Sequence, residues 1–223
     1  MNAPTVVVFD VNETLSDMAP LGTRFGDVGA PELTATVWFA SLLRDAFALT
    51  AAGGTPRFGA LASAGVRSVL TGHSLTRDMD AAVDHVLAGF TALEVHADVP
   101  DGVRALRQSG RRLATLSNGS ADIAERLLTN AGLREEFEHV LSVDDAGVWK
   151  PAPGSYAYAA RTCGVDPAEM MLVAVHPWDI DGAARAGMAT AWLNRDGRPY
   201  PEYFTAPTHT VGALTDLPGR LAP

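Results

Sequence analysis

The most constraining feature of the sequence is a short apolar run, Val6–Phe9, that leads directly into Asp10. Three of its four residues are β-branched, which is typical of a buried central strand in a parallel sheet. Ligands of open α/β sheets bind outside the carboxyl ends of the strands. Asp10 is therefore predicted to lie where a carboxylate acts as a nucleophile, a metal ligand or a base. The alternative is a strand-end aspartate that only caps a loop.

Composition limits the class of protein. The 223 residues, of which 47% are apolar, suffice for one catalytic domain with an inserted subdomain. A net charge of -9 argues against nucleic acid or an anionic membrane as partner, but leaves a small anionic substrate open. The single cysteine, Cys163, excludes an intramolecular disulfide and is interpreted as a buried structural thiol. With no leader pattern and no apolar stretch near the ~20 residues of a membrane span, we expect a cytoplasmic protein.

Apolar periodicity divides the chain into two regions. Residues 16–31 are predicted to form a loop, and three helices are predicted at 32–52, 58–70 and 77–93. After a linker at 97–102, helices and strands alternate. Helices are predicted at 103–108, 121–130, 154–163 and 180–186, and strands at 111–116, 139–143, 170–175, 190–193 and near 210–211. This alternation predicts an α/β fold, a doubly wound Rossmann-like parallel sheet. Residues 1–15 and 96–223 would form this core, and 16–95 an inserted helical cap.

Three later polar motifs lie at predicted strand ends or helix starts. Ser117 and Asn118 end a strand, where they form an anion cradle; the alternative is a helix cap by Ser117 or Ser120. Lys150 precedes Pro151 on a stiff turn, where its ammonium could neutralise a carboxylate, although a lone lysine is usually solvated. Asp179 follows a strand and could also be a helix N-cap.

Taken in order, these motifs resemble those of the haloacid dehalogenase superfamily, and in particular of the type II L-2-haloacid dehalogenases. The matching residues are Asp10, Thr14 and Leu15, then Ser117 and Asn118, then Lys150 and Pro151, and finally Trp178 and Asp179. Tyr156 occupies the position of a tyrosine found near the site in that subgroup.

The resemblance implies a mechanism with an aspartyl ester. Asp10 would displace halide from a short 2-haloalkanoic acid, and water would then hydrolyse the ester. Lys150 would stabilise the nucleophile and Asp179 would orient Lys150 and position or activate the water. Ser117 and Asn118 would bind the substrate carboxylate. Further expected substrate-site residues are Asn12, Thr14, Phe39, Tyr156, His176 and Trp178.

At several positions this sequence differs from the motifs of the superfamily, and these differences affect the expected metal binding and substrate binding. Its phosphatases carry a second aspartate where Asn12 stands, and an acidic Mg²⁺ ligand where Ala174 and Val175 stand, so we expect neither a metal nor any other cofactor. Its dehalogenases usually have tyrosine at Asn12, arginine at Phe39 and asparagine at His176.

With phenylalanine at position 39, the arginine that usually binds the substrate carboxylate is missing from this position. Arg24, Arg44 and His176 are candidates to replace it. Phe39 either lines the substrate pocket or belongs to the cap core.

Two other functions stay open from the sequence. One is a Mg²⁺-dependent phosphatase of a small metabolite, with Asp10 and Asp179 as metal ligands. The other is a non-catalytic binding protein on a decayed hydrolase scaffold. A small molecule is the expected partner, and a homodimer is left open.

Overall fold

The structure is a computed structural model that describes residues 4–221. It contains two compact units. The helical unit comprises Asp17–Leu93, and the sheet unit comprises the chain up to Ser16 and from Glu94 onward.

The helical unit consists of α1 (Leu21–Asp27), α2 (Thr34–Ala51), α3 (Phe58–Leu70) and α4 (Met79–Thr91). In α3 the buried residues Ala62, Val66 and Leu70 recur every four positions, which gives the helix one apolar face. Trp38 of α2 is fully buried, and its indole N–H donates a hydrogen bond of 3.1 Å to the carbonyl of Ala62. This bond satisfies the polar atom of the largest side chain in the core of this unit.

The sheet unit is built on six parallel strands. They are β1 (Val6–Phe9), β2 (Arg112–Ser117), β3 (His139–Ser142), β4 (Met170–Ala174), β5 (Ala189–Leu193) and β6 (His209–Val211). Their order is β3-β2-β1-β4-β5-β6, and every neighbouring pair is parallel. The predicted doubly wound parallel sheet is therefore confirmed. Since the winding direction reverses between β1 and β4, a binding crevice is expected at their carboxyl ends.

Strand β1 lies at the centre of the core. Its four residues are at most 1% exposed, and full burial of each large apolar side chain is worth about 1.5–3 kcal/mol. Phe9 pairs with Thr115 on β2 and with Val173 on β4, and its ring contacts Phe137 edge-on at 5.8 Å between centroids. The backbone N–H of the next residue, Asp10, donates a hydrogen bond of 3.0 Å to the carbonyl of Val173 on β4.

Within residues 4–221, six helices accompany the sheet, together with short 3-10 turns. They are α5 (Val99–Gln108), α6 (Ala121–Asn130), α7 (Val143–Ala146), α8 (Pro153–Cys163), α9 (Pro177–Arg185) and α10 (Leu217–Arg220). Cys163 is buried and unpaired at the end of α8, as predicted. Within residues 4–221, no helix is both long and apolar enough to cross a membrane.

Three local predictions were wrong. The expected loop at 16–31 contains α1, because Leu21 and Phe25 place a buried apolar pair one turn apart despite the nearby glycines. The expected linker at 97–102 contains the start of α5, where Pro100 lies in the first turn and sacrifices no helical hydrogen bond. Helix α7 was not predicted; the Ser142 hydroxyl accepts a hydrogen bond from the backbone N–H of Asp144 and caps it.

We expect Gly102→Ala to destabilise the sheet unit. An added Cβ would lie 2.6 Å from Cγ of Leu214, so overpacking should lower the free energy of unfolding by about 1–3 kcal/mol despite the better helix propensity of alanine. Gly219→Ala in α10 is the matched control, because nothing lies within 4 Å of its added Cβ. Urea unfolding measures both, and equal stability of the two variants would contradict the prediction.

Candidate active site

A buried cluster of three charges lies at the carboxyl edge of the sheet. Asp10 follows β1, Asp179 lies in the first turn of α9, and Lys150 lies between α7 and α8. The Lys150 ammonium is 2.8 Å from Oδ1 of Asp10 and 2.6 Å from Oδ2 of Asp179. All three residues are at most 3% exposed. The structure thus brings together the three residues predicted to be catalytic.

Asn118 holds the backbone of Lys150 in place. Its Oδ1 accepts a hydrogen bond of 2.9 Å from the Lys150 backbone N–H, and its Nδ2 donates one of 3.2 Å to the Lys150 carbonyl. The sequence suggested only contact with a substrate carboxylate. The structure adds a positioning contact between the loop after β2 and the lysine.

Ser117 and Asn12 lie beside the same turn. The Ser117 hydroxyl accepts a hydrogen bond of 2.9 Å from the backbone N–H of Gly119. A Cβ added at Gly119 would lie 3.2 Å from Oγ of Ser117 and 3.4 Å from Nδ2 of Asn12. A side chain at position 119 would therefore crowd both polar groups.

The second oxygen of Asp10 is also engaged. Oδ2 accepts a hydrogen bond of 2.7 Å from the Thr14 hydroxyl, which in turn accepts one of 3.1 Å from the backbone N–H of Val175. Nδ1 of His176 lies 3.1 Å from the same Oδ2. These contacts fix the rotamer of the carboxylate.

Tyr156 contacts Asp179 directly. We expected it at the substrate, but its side chain is fully buried and its hydroxyl donates a hydrogen bond of 2.6 Å to Oδ1 of Asp179. A Cβ on Gly182 would come within 2.5 Å of that hydroxyl, so the glycine leaves room for the tyrosine. Tyr156 thus contacts Asp179 from between α8 and α9, and its contact with a substrate stays a prediction.

His176 connects Asp10 to a residue that the sequence did not single out. Its Nε2 is 2.8 Å from Oε2 of Glu13, whose side chain is 44% exposed, and its ring stacks on Trp178 at 4.9 Å between centroids. Glu13 has a positive φ of 62°, which is uncommon for a residue other than glycine. Its position between Asn12 and Thr14 was the only indication available from the sequence.

The charges change the pKa values of the central groups. Burial raises the pKa of Asp10, but the nearby positive charges of Lys150 and His176 outweigh this effect and hold it well below its usual range. Burial lowers the pKa of Lys150, yet Asp10 and Asp179 raise it overall. Asp10 is therefore an ionised carboxylate, the form that a nucleophile requires.

The remaining candidate residues lie in the helical unit. Phe39 is 5% exposed in α2, and its ring is 6.2 Å from that of Trp38. Arg44 pairs with Asp45 on the surface. The side chain of Arg24 lies against Gly89, since a Cβ added there would be 2.6 Å from its Cγ.

The residues of this cluster do not fit a divalent cation. Ammonium, hydroxyl or imidazole groups of the protein contact each carboxylate oxygen of Asp10 and Asp179. Ala174 and Val175 offer no side-chain oxygen. Across residues 4–221, no group of three or more His, Cys, Asp or Glu residues has a metal-binding arrangement.

Comparison with known proteins defines the family. Residues 4–187 match the haloacid dehalogenase-like hydrolase family. The chain therefore belongs to the haloacid dehalogenase-like hydrolases.

Among its relatives is an (S)-2-haloacid dehalogenase of Pseudomonas sp. strain YL, which is 36% identical over 138 residues, or 61% of this chain and 60% of that protein. The aligned part thus spans less than two thirds of that relative. The (S)-2-haloacid dehalogenase 4A of Burkholderia cepacia is 30% identical over 94% of this chain and 91% of its own length.

A solved structure shares the fold across nearly the whole chain. The L-2-haloacid dehalogenase of Xanthobacter autotrophicus, with chloropropionic acid covalently bound, is similar with a TM-score of 0.87 and 27% identity, and 97% of each chain is covered.

We expect the stability of the protein to decrease in mildly alkaline solution. Burial lowers the pKa of His176, but its contacts with Asp10 and Glu13 raise it from an ordinary 6.5 to about 9. Because the folded pKa is raised, the stabilisation is complete below pH 6.5 and is lost as the pH rises through about 9. This shift corresponds to about 3 kcal/mol of unfolding free energy.

Urea unfolding between pH 6 and pH 9.5 measures this decrease. His176→Asn should remove it. The control His139→Asn, altered at the start of β3, should retain it. A decrease of the same size in all three proteins would show that another group is responsible.

Proposed function

We propose that this protein hydrolyses the carbon-halogen bond of a short 2-haloalkanoic acid through an ester on Asp10. The observation that carries the proposal is the ionised Asp10 carboxylate, held by the Lys150 ammonium at the carboxyl end of the central strand. The relatives named as 2-haloacid dehalogenases support the same chemistry.

In the first step, a carboxylate oxygen of Asp10 attacks the carbon that bears the halogen. The new carbon-oxygen bond forms as the carbon-halogen bond breaks, and halide leaves with the bonding electrons. Lys150 keeps Asp10 ionised at neutral pH, and Thr14 fixes its orientation through the 2.7 Å hydrogen bond to Oδ2. Asp179 in turn holds the ammonium and is itself held by the Tyr156 hydroxyl, and this orientation matters because an oriented nucleophile reacts faster than a mobile one.

In the second step, water attacks the carbonyl carbon of the Asp10 ester. The bond between that carbon and the ester oxygen breaks, the 2-hydroxy acid leaves, and the Asp10 carboxylate is restored. Ser117, Asn118 and Asn12 offer hydrogen-bonding groups for the substrate carboxylate, and Trp178 an apolar wall. The cap role of residues 16–95 stays a prediction.

Phosphoryl transfer is the weaker alternative. A phosphatase of this family would require a proton donor at Asn12 and metal ligands around Asp10, and neither is present among the matched residues. A carboxamide cannot protonate a leaving alkoxide. A homodimer and the cytoplasmic location stay predictions from the sequence.

Asp10→Asn should abolish turnover while leaving the fold intact, because an amide is a far weaker nucleophile than a carboxylate. Halide release from 2-chloropropionate measures activity, and circular dichroism checks the fold. Asp101→Asn, an exposed substitution in α5, is the matched control and should behave as wild type. If Asp10→Asn retains a tenth of wild-type activity, Asp10 is not the nucleophile.

Activity should not require a divalent metal, because Lys150, Thr14 and His176 already contact the Asp10 oxygens. We expect the same rate of halide release after EDTA dialysis and after addition of Mg²⁺. A panel of phosphate esters is assayed in parallel. A large increase in phosphate release on adding Mg²⁺ would instead favour the phosphatase.

Phe39→Arg should improve activity on short L-2-haloacids, because the dehalogenases that this chain resembles usually carry an arginine at this position. A guanidinium can bind the substrate carboxylate through two hydrogen bonds, so KM should decrease for 2-chloropropionate. Kinetics and thermal unfolding are both measured. A destabilised variant with no gain on any haloacid would show that Phe39 belongs to the core with Trp38.

A further inference from the structure

Asp10, His176 and Glu13 form a chain of three side chains, of which His176 and Glu13 take no part in the steps above. Asp10 Oδ2 lies 3.1 Å from Nδ1 of His176, and Nε2 of the same ring lies 2.8 Å from Oε2 of Glu13. A nucleophile, a base and a third group that orients the base are the parts of an activated hydrolytic site. We propose that His176 is the general base that activates water for hydrolysis of the Asp10 ester, and that Glu13 positions it. This inference rests on the dehalogenase function proposed above.

Glu13 determines which ring nitrogen can accept a proton. An ionised carboxylate only accepts hydrogen bonds, so neutral His176 must carry its hydrogen on Nε2, facing Glu13. The lone pair of Nδ1 then points toward Asp10. A water that attacks the ester carbon, one bond from Oδ2, is within reach of this nitrogen.

The backbone of Glu13 is anchored on both sides. Its N–H donates a hydrogen bond of 3.3 Å to Oγ of Ser16, and its carbonyl accepts one of 3.0 Å from Nε2 of His96. The stacked ring of Trp178 limits the tilt of the imidazole. The contact between Glu13 and His176 is thus supported by several elements.

Asp179 is a poorer candidate for this base. Its side chain is 0% exposed, and its two oxygens accept hydrogen bonds from Lys150 and Tyr156. The His176 side chain is 12% exposed, so water can approach it and a proton can leave. The geometry separates the two roles: Asp179 orients Lys150, and His176 takes the proton.

The proton balance follows from the charge of Asp10. Ester formation removes that negative charge, and imidazolium at His176 then loses its proton to solvent. Neutral Nδ1 takes a proton from the attacking water as the oxygen-carbon bond forms. The ester bond breaks, and the second hydrogen of the water ends on the hydroxyl of the product. Asp10 is again a carboxylate, His176 is again an imidazolium, and one proton and one halide are released per turnover.

The charged groups that face His176 explain why the proton leaves at this stage. In the free enzyme the carboxylates of Asp10 and Glu13 hold the imidazolium. In the ester only the Glu13 carboxylate still contacts His176. The Lys150 ammonium lies 5.9 Å from the centre of the Trp178 ring, on which His176 stacks, and its positive charge opposes a positive charge on His176. Asp179 is paired with that ammonium, and His96 contacts only the Glu13 carbonyl.

The test separates the two chemical steps in His176→Asn. Enzyme is mixed with 2-chloropropionate and quenched with acid at intervals; halide release and the intact protein mass are then measured. We expect one equivalent of halide per site, followed by hydrolysis that is slowed about 10²–10⁴-fold more than alkylation is, so that the ester accumulates. His139→Asn is the matched control and should show no ester accumulation.

Glu13→Gln tests the positioning role. The amide oxygen can still accept from Nε2, but the negative charge is lost, so neutral His176 forms at lower pH. The rise of single-turnover ester hydrolysis with pH should therefore move to lower pH than in wild type. A purely structural role of Glu13 would alter stability and leave this pH profile in place.

The outcomes are distinct. Wild-type hydrolysis of the ester by His176→Asn, or equal loss of alkylation and hydrolysis in a folded variant, would overturn the assignment and leave the dehalogenase function intact. Wild-type protein that releases no halide from any 2-haloacid would overturn the proposed function, and this assignment with it.

Discussion

The Lys150 ammonium, buried between the carboxylates of Asp10 and Asp179, is the interaction on which the site depends. Desolvating three charged groups is costly, and such a cluster persists only where the geometry is good and the other polar atoms are satisfied. Both conditions hold here. Thr14 and Tyr156 contact the remaining carboxylate oxygens, and removal of one partner would leave an uncompensated buried charge.

The sheet makes this geometry available. Phe9 pairs with Thr115 and Val173, so the carboxyl ends of strands β1, β2 and β4 lie at one edge of the sheet. Asp10 directly follows β1. Asn118, in the loop after β2, forms two hydrogen bonds with the backbone of Lys150. Rigid strands thus position the nucleophile, and a cross-loop contact positions its counter-ion. This division suits a reaction that depends on orientation.

His176 and Glu13 give this member of the family a second ionisable contact to the nucleophile. An imidazolium near Asp10 would stabilise the carboxylate before alkylation. A neutral imidazole would be useful only after the charge of Asp10 is lost. The same ring can serve both stages because its protonation follows the charge of its neighbour. The buried Asp179 lacks this freedom, since Lys150 and Tyr156 contact its two oxygens.

The sequence by itself determined the class of fold and the three buried charges. Apolar runs of β-branched residues and helical periodicity are local patterns, so the alternation of strands and helices could be predicted, although the glycine-rich stretch hid α1. The order of the motifs identified Asp10, Lys150 and Asp179. Only the tertiary structure decided the partners of these residues. Glu13 contacts His176 across 163 residues of sequence, and Tyr156 contacts Asp179 across 23. These side chains converge because the strands end at the same edge of the sheet. Such contacts depend on strand order and register, which no local pattern encodes.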